Sequence, residues 1–280
     1  MNFFEKFLYT FQNTMATPQI FGWFHILWLL IITTAITLII IFRKRINEKG
    51  VRYTILTIGI LLILFETMKQ LIYSFNWNAN TQTSSWNYQW YAFPFQFCST
   101  PMYIMLVAGL SKKNLFRESL YAYLGTFALF GGLSVMFYPG DVFCSTIFIN
   151  IQTMFWHGSM VVVGILLWVT NSIQIKQKTL IKASCVFAVM LAIAMTSNYI
   201  WKFAGGLETG QTFNMFYISP FYNCTLPLLS IIYSNTPYIV FLLCYVFGFV
   251  LIAYLIILIA MAINKLNLVY KNKKKNITNR

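Results

Sequence analysis

Cys98 and His157 are the two side chains that most suggest chemistry in an otherwise apolar chain. A thiol and an imidazole in contact make a nucleophile and its base: the ring takes the thiol proton, and the thiolate attacks an acyl carbonyl carbon. Pro101 lies three residues after Cys98 and lacks the N–H that would bond the Phe97 carbonyl, so a kink is predicted there, exposing backbone polarity beside the thiol. Asn150, Thr153 and His157 follow i, i+3, i+7 spacing on one helix face. His157 lies about ten residues, or ~15 Å, into its helix, deep enough that a neutral ring there needs a partner such as a thiol or carboxylate. Both residues also have an ordinary reading, since a lone cysteine in an apolar helix is usually a small hydrophobe.

Other polar residues recur inside apolar runs. They are His25, Glu66, Lys69, Gln70, Gln96, Asn198 and Lys202, with Asn214 further on. Glu66 and Lys69, three apart, suit a structural ion pair. Gln96 and Asn198 suit interhelical hydrogen bonding as well as ligand binding. Lys202 is close enough to a helix end to snorkel. The five cysteines include no C-x-x-C pair, so no metal or cofactor is expected. Cys144 and Cys224 fall in loops, where a disulfide between them stays open.

The elements that position these residues follow from composition. Hydrophobic residues make up 59% of the 280 and charged ones 9%, too little charge to wet a soluble surface, so lipid is the expected solvent. The net charge of +14 does not point to nucleic acid, because the basic residues sit in short blocks between apolar runs. The first twenty residues show no cleavable signal pattern, and the first span is expected to act as an uncleaved insertion signal.

An all-α polytopic bundle of seven transmembrane helices in one membrane domain is expected, with spans near 20–42, 53–73, 93–110, 119–138, 147–170, 180–201 and 237–263. All basic residues except Lys6, Lys69 and Lys202 fall after the first, third and fifth spans or in the tail at 265–280. That alternation predicts the N-terminus outside and the C-terminus in the cytoplasm. It also puts every costly polar residue in the outer half, which suggests a one-sided pocket rather than a path across the membrane.

Residues 1–17 read as an interfacial amphipathic helix, with Phe3, Phe4, Phe7, Leu8 and Phe11 on one face. Thr17-Pro18 reads as the cap and first-turn proline of the first span. Gly125, Ala128 and Gly132 share a face that permits close helix approach. The stretch 203–236 is too aromatic for disorder and too long for an idle connection, so a lid or re-entrant segment on the outer face is expected.

Short motifs carry a resemblance. Phe21-Gly22-x-x-His25, Phe93-Pro94-Phe95-Gln96-Phe97-Cys98, Phe155-Trp156-His157-Gly158 and, more loosely, Asn198 with Asn214-Met215-Phe216 resemble the YwaF family of bacterial membrane proteins, itself related to the transmembrane-protein-164 family of eukaryotic lipid acyltransferases. Gln96 departs from the pattern, standing where that family usually has histidine. The resemblance implies a seven-helix fold and a cysteine–histidine acyl transfer on phospholipid in a cell membrane, with Cys98 and His157 as the pair. His25, Glu66, Lys69, Gln96, Asn150, Thr153, Asn198 and Asn214 would then bind substrate or support the pair. Membrane lipid is both the solvent and a candidate substrate. A non-enzymatic transporter or ligand-binding subunit, and a structural membrane protein, are the alternatives.

Overall fold

The computed structural model describes residues 1–204 and 210–278, with side chains as far as Leu266. Residues 205–209 of the expected outer segment, and the tail's side chains beyond Leu266, lie outside the described residues. Helix α1 (Phe3–Phe11) opens on a reciprocal capping box: Asn2 accepts from the Glu5 N–H, and Glu5 accepts from the Asn2 N–H. Leu8 is fully buried while Phe3 and Phe7 stay exposed. Gln12 then anchors this entry by donating to the carbonyls of Ile72 and Phe75, at 3.0 and 2.7 Å.

Among the described residues, six helices are long and apolar enough to cross a bilayer. They are α2 (Trp23–Phe42), α3 (Glu48–Ser74), α5 (Leu115–Phe137), α6 (Ile147–Val169), α7 (Lys178–Ala204) and α9 (Tyr238–Thr278), the last apolar as far as Leu266. Between them lie the shorter α4 (Thr100–Leu110) and α8 (Leu229–Asn235). Helices α5 and α6 form the centre, each with 72% of its apolar window buried. Helix α2 leaves Leu27, Leu30, Ile31, Leu38 and Ile41 uncovered, as a helix facing lipid does. Glycines let the central helices approach. A Cβ on Gly132 of α5 would stand 2.7 Å from the His157 carbonyl oxygen, and one on Gly164 of α6 would stand 2.8 Å from the Leu129 Cβ.

The stretch expected as a third full span is only half helical. A 3-10 turn at Trp90–Ala92 leads through irregular backbone to α4, whose eleven residues rise about 16 Å. Among the described residues, six single helices therefore reach bilayer length. Pro101 kinks nothing, because it sits in the first turn of α4, where its missing N–H has no role. The Phe97 carbonyl is not orphaned either: it accepts from the Thr100 hydroxyl at 3.0 Å, and Tyr123 in turn donates to that hydroxyl at 2.9 Å.

Thr17-Pro18 does not start a helix; α2 begins at Trp23 after Gly22. A local contact marks that start. His25 accepts from the Phe21 N–H at 3.0 Å, and Phe21 adopts a φ of 57°. A hairpin of β1 (Phe75–Asn78) and β2 (Thr83–Trp86), antiparallel, caps the aromatic end and was not part of the all-helical expectation.

Helix α5 contains a π turn at Leu124–Ala128, where the Leu129 N–H bonds the Leu124 carbonyl. The Gly125 carbonyl accepts from the Trp168 indole at 2.7 Å. All five cysteines, Cys144 and Cys224 included, are free thiols.

Candidate functional site

Cys98 lies just before α4, two residues ahead of its first residue, in the turn where the Ser99 and Thr100 N–H groups both bond the Gln96 carbonyl. Its own carbonyl accepts from the Trp156 indole at 2.6 Å, so the residue beside His157 grips the backbone of Cys98. His157 is 5% exposed. Its Nδ1 is 2.8 Å from the Thr153 carbonyl oxygen, one turn back on α6. A carbonyl only accepts, so Nδ1 carries the proton and the neutral ring presents a lone pair at Nε2. Nε2 has no hydrogen-bond partner among the described residues, and no hydrogen bond joins it to the Cys98 thiol.

Helix α3 supplies the third wall. Lys69 and Glu66 form an ion pair at 2.8 Å with only 15% and 5% of their side chains exposed. Gln70 donates to the same Glu66 oxygen, and to the Ala92 carbonyl, at 2.7 Å each. The Lys69 ammonium lies within electrostatic reach of both the Cys98 thiol and the His157 ring. The other Glu66 oxygen and the Gln70 carbonyl oxygen are, like His157 Nε2, buried without a partner. Glu66, Lys69 and Gln70 thus form one polar cluster inside an apolar bundle, with Cys98 and His157 within reach of its charge. Gln70, noted in the sequence as a polar residue of its span, has a structural part as the partner of Glu66 one turn away, and Trp156 has one that the sequence did not single out.

The expected amides gather at a neighbouring place and do one thing. Asn198, 1% exposed, accepts from the Met215 N–H at 2.7 Å and donates to the Met215 carbonyl at 3.0 Å. Gln96 donates to the Asn214 carbonyl and accepts from the Phe216 N–H, at 2.9 and 2.8 Å. Asn214 accepts from the Ser219 N–H at 2.9 Å and donates to the Asn223 carbonyl at 3.2 Å. Together they satisfy backbone groups of a segment whose regular structure is a single 3-10 turn at Met215–Tyr217. The segment they hold is packed into the core as a plug: Phe213, Met215, Phe216, Ile218 and Ser219 are at most 1% exposed. Phe216 and Tyr217 sit at φ of 60° and 57°, backbone that persists only when surroundings fix it.

The remaining expected residues are placed apart in role. His25 is fully buried, and its Nε2 bonds the Met136 carbonyl at 2.8 Å, so both ring nitrogens are engaged by backbone. Asn150 folds back onto Cys144, accepting from its N–H at 3.0 Å and donating to its carbonyl at 2.7 Å. Thr153 contributes its carbonyl to His157.

Six apolar helices around a buried polar group define a multi-pass α-helical membrane protein. Residues 20–259 match the TMEM164 family, and the chain belongs to it. No curated protein and no solved structure matches the chain.

Proposed function

We propose that the protein is a membrane-embedded thiol acyltransferase acting on lipid esters. The observation that carries this reading is His157: a buried ring whose tautomer is set by Thr153, with an unpartnered lone pair at Nε2. In the reaction, Nε2 takes the Cys98 proton and the thiolate attacks the ester carbonyl carbon. The ester C–O bond then breaks, the leaving alcohol receives the proton from His157, and the acyl group stays on sulfur as a thioester. An acceptor alcohol, its proton taken by Nε2, attacks that thioester and restores the thiol. Lys69 is the nearest identified cation for the oxyanion, with Glu66 and Gln70 holding it in place. His157 Nε2 must approach the thiol on substrate binding, as resting-state catalytic bonds are often long.

The same reading takes the bundle as seven crossings with the N-terminus outside and the C-terminus cytoplasmic, in the cell membrane, on the YwaF-like branch of the family. Two contacts support the extra crossing. Gln70 bonds the Ala92 carbonyl near one end of α3, and Arg52 bonds the Gly109 carbonyl at 3.0 Å near the other. Residues 92–109 therefore run along some 18 residues of α3, about 27 Å, close to a hydrocarbon thickness.

The test is acyl exchange between phospholipids in vesicles bearing the full chain, with trapping of the thioester by hydroxylamine. Cys98→Ala and His157→Gln should each abolish exchange, and only His157→Gln should retain a thiol that an acyl-donor probe labels slowly. Full exchange by Cys98→Ala sinks the proposal.

A further inference from the structure

A second polar site lies at the opposite, basic end of the bundle. A cavity of about 330 Å³ opens there between the first turns of α3, α5 and α7 and the loop 170–174, at the small end of ligand-pocket sizes. Arg117 lines it and is 4% exposed, unusually buried for an arginine near a helix start. Its guanidinium donates to the Ser111 carbonyl at 3.3 Å and pairs with Glu48, leaving other N–H donors of its five uncommitted. Tyr121, one turn further along α5, also lines the cavity and is 5% exposed. Its hydroxyl is buried with no hydrogen-bond partner among the described residues.

The charges decide what fits. Lys113, Arg117 and Lys182 face Glu48 and Glu118 across this space, a net charge of +1. Lys113 and Arg117 share Glu48, and Lys182 pairs with Glu118, so the carboxylates are already occupied. The starts of α3, α5 and α7 lie here beside the ends of α2, α4 and α6, so helix dipoles largely cancel and the side chains set the sign. An unpartnered hydroxyl, spare guanidinium donors and a net positive charge together favour an anion carrying several acceptor oxygens.

We infer that this cavity binds a phosphate group, either free or on the headgroup of a phospholipid at the basic face of the membrane. The site is separate from Cys98 and stands whether or not that residue is catalytic. Tyr121→Phe is the informative change, because it removes a hydroxyl with no protein partner. Arg117→Ala would instead strand Glu48 and threaten folding.

The experiment follows the thermal melting of the full chain in detergent. One arm titrates inorganic phosphate at constant ionic strength against chloride, and the other titrates dihexanoylphosphatidylglycerol. A saturable rise in Tm is expected in at least one arm. A rise with phosphate identifies a soluble ligand; a rise with the lipid alone identifies a headgroup. Tyr121→Phe should melt like the parent without ligand and shift half-saturation about tenfold, as expected for loss of one hydrogen bond to a charged group. The inference is overturned if neither probe raises Tm above the chloride control, or if Tyr121→Phe binds as tightly as the parent. A Tyr121→Phe protein that melts lower without ligand also overturns it, since the hydroxyl would then have a protein partner.

Discussion

Replacing Asn198 with leucine should release the buried plug at 213–219. The substitution keeps the branched outline of the side chain but removes both bonds to Met215, the N–H at 2.7 Å and the carbonyl at 3.0 Å. Met215 is fully buried, so neither backbone group reaches water unless the segment moves. A stranded buried polar group costs about 1–3 kcal/mol. Side-chain hydrogen bonds within membranes are weaker, averaging about 0.6 kcal/mol and reaching about 1.7. The Met215 carbonyl keeps the Ile218 N–H at 3.4 Å, so one stranded N–H and one weakened carbonyl give about 1–3 kcal/mol. At about 1.4 kcal/mol per factor of ten, local opening should become about 5-fold to 100-fold more frequent. Cys224 reports it, being 4% exposed and tied to the plug through the Asn214–Asn223 bond at 3.2 Å. In a protein whose only cysteine is Cys224, maleimide labelling should accelerate by that factor. Gln96→Leu should act similarly, and the double variant should fall short of the sum because both amides hold one segment. Labelling of Asn198→Leu within threefold of the parent would refute the clamp.

Three other outcomes are expected. Gly132→Ala should destabilise the protein by about 1–3 kcal/mol through overpacking, because the new Cβ would meet the His157 carbonyl oxygen at 2.7 Å; Gly248→Ala, with nothing within 4 Å, should leave Tm unchanged. Lys69→Met should cost about 3–5 kcal/mol by leaving Glu66 charged, buried and unpaired, and adding Glu66→Gln should recover much of it in a chemical-denaturation series. The Ser84 hydroxyl, donating at 2.6 Å, and the Asn2 N–H hold the Glu5 carboxyl below its ordinary value of 4.5. The docking of α1 should therefore be at full strength above that pH and weaken as pH falls through the depressed folded-state value. Amide exchange in α1 measures it, and Glu5→Gln should remove the pH dependence.

Helix positions were legible because apolar length and basic spacing are properties of the chain alone. Helix starts were less so, and two Thr-Pro pairs show why. Thr17-Pro18 was expected to open a helix and Pro101 to kink one, yet Thr17-Pro18 opens none and Thr100-Pro101 forms the first turn of α4 behind Ser99. At the first, the bond from Phe21 to His25 delays the start to Trp23. At the second, the Thr100 hydroxyl closes the turn on Phe97, and Tyr123 supports it from another helix. The polar residues were visible, but their partners were not. Gln96, Asn198 and Asn214 look like ligands or glue in isolation, and nothing local indicates that all three hold one backbone segment. His157 was expected to be oriented by a carboxylate or thiol on another helix; Thr153 of its own helix does so instead.

The π turn at Leu124–Ala128 bears on how this chain tolerates changes in length. A π turn holds about one residue more than an α turn. Deleting a single residue within 124–128 should close it to an α turn while keeping both flanks in phase, so that Gly132 still faces His157 and Tyr121 keeps its place. The same deletion in the flanks at 115–123 or 129–137 would rotate everything beyond it by about 100°. Helix α5 therefore carries a slot at which an inserted residue is absorbed, stitched to α6 by the bond from Trp168 to the Gly125 carbonyl.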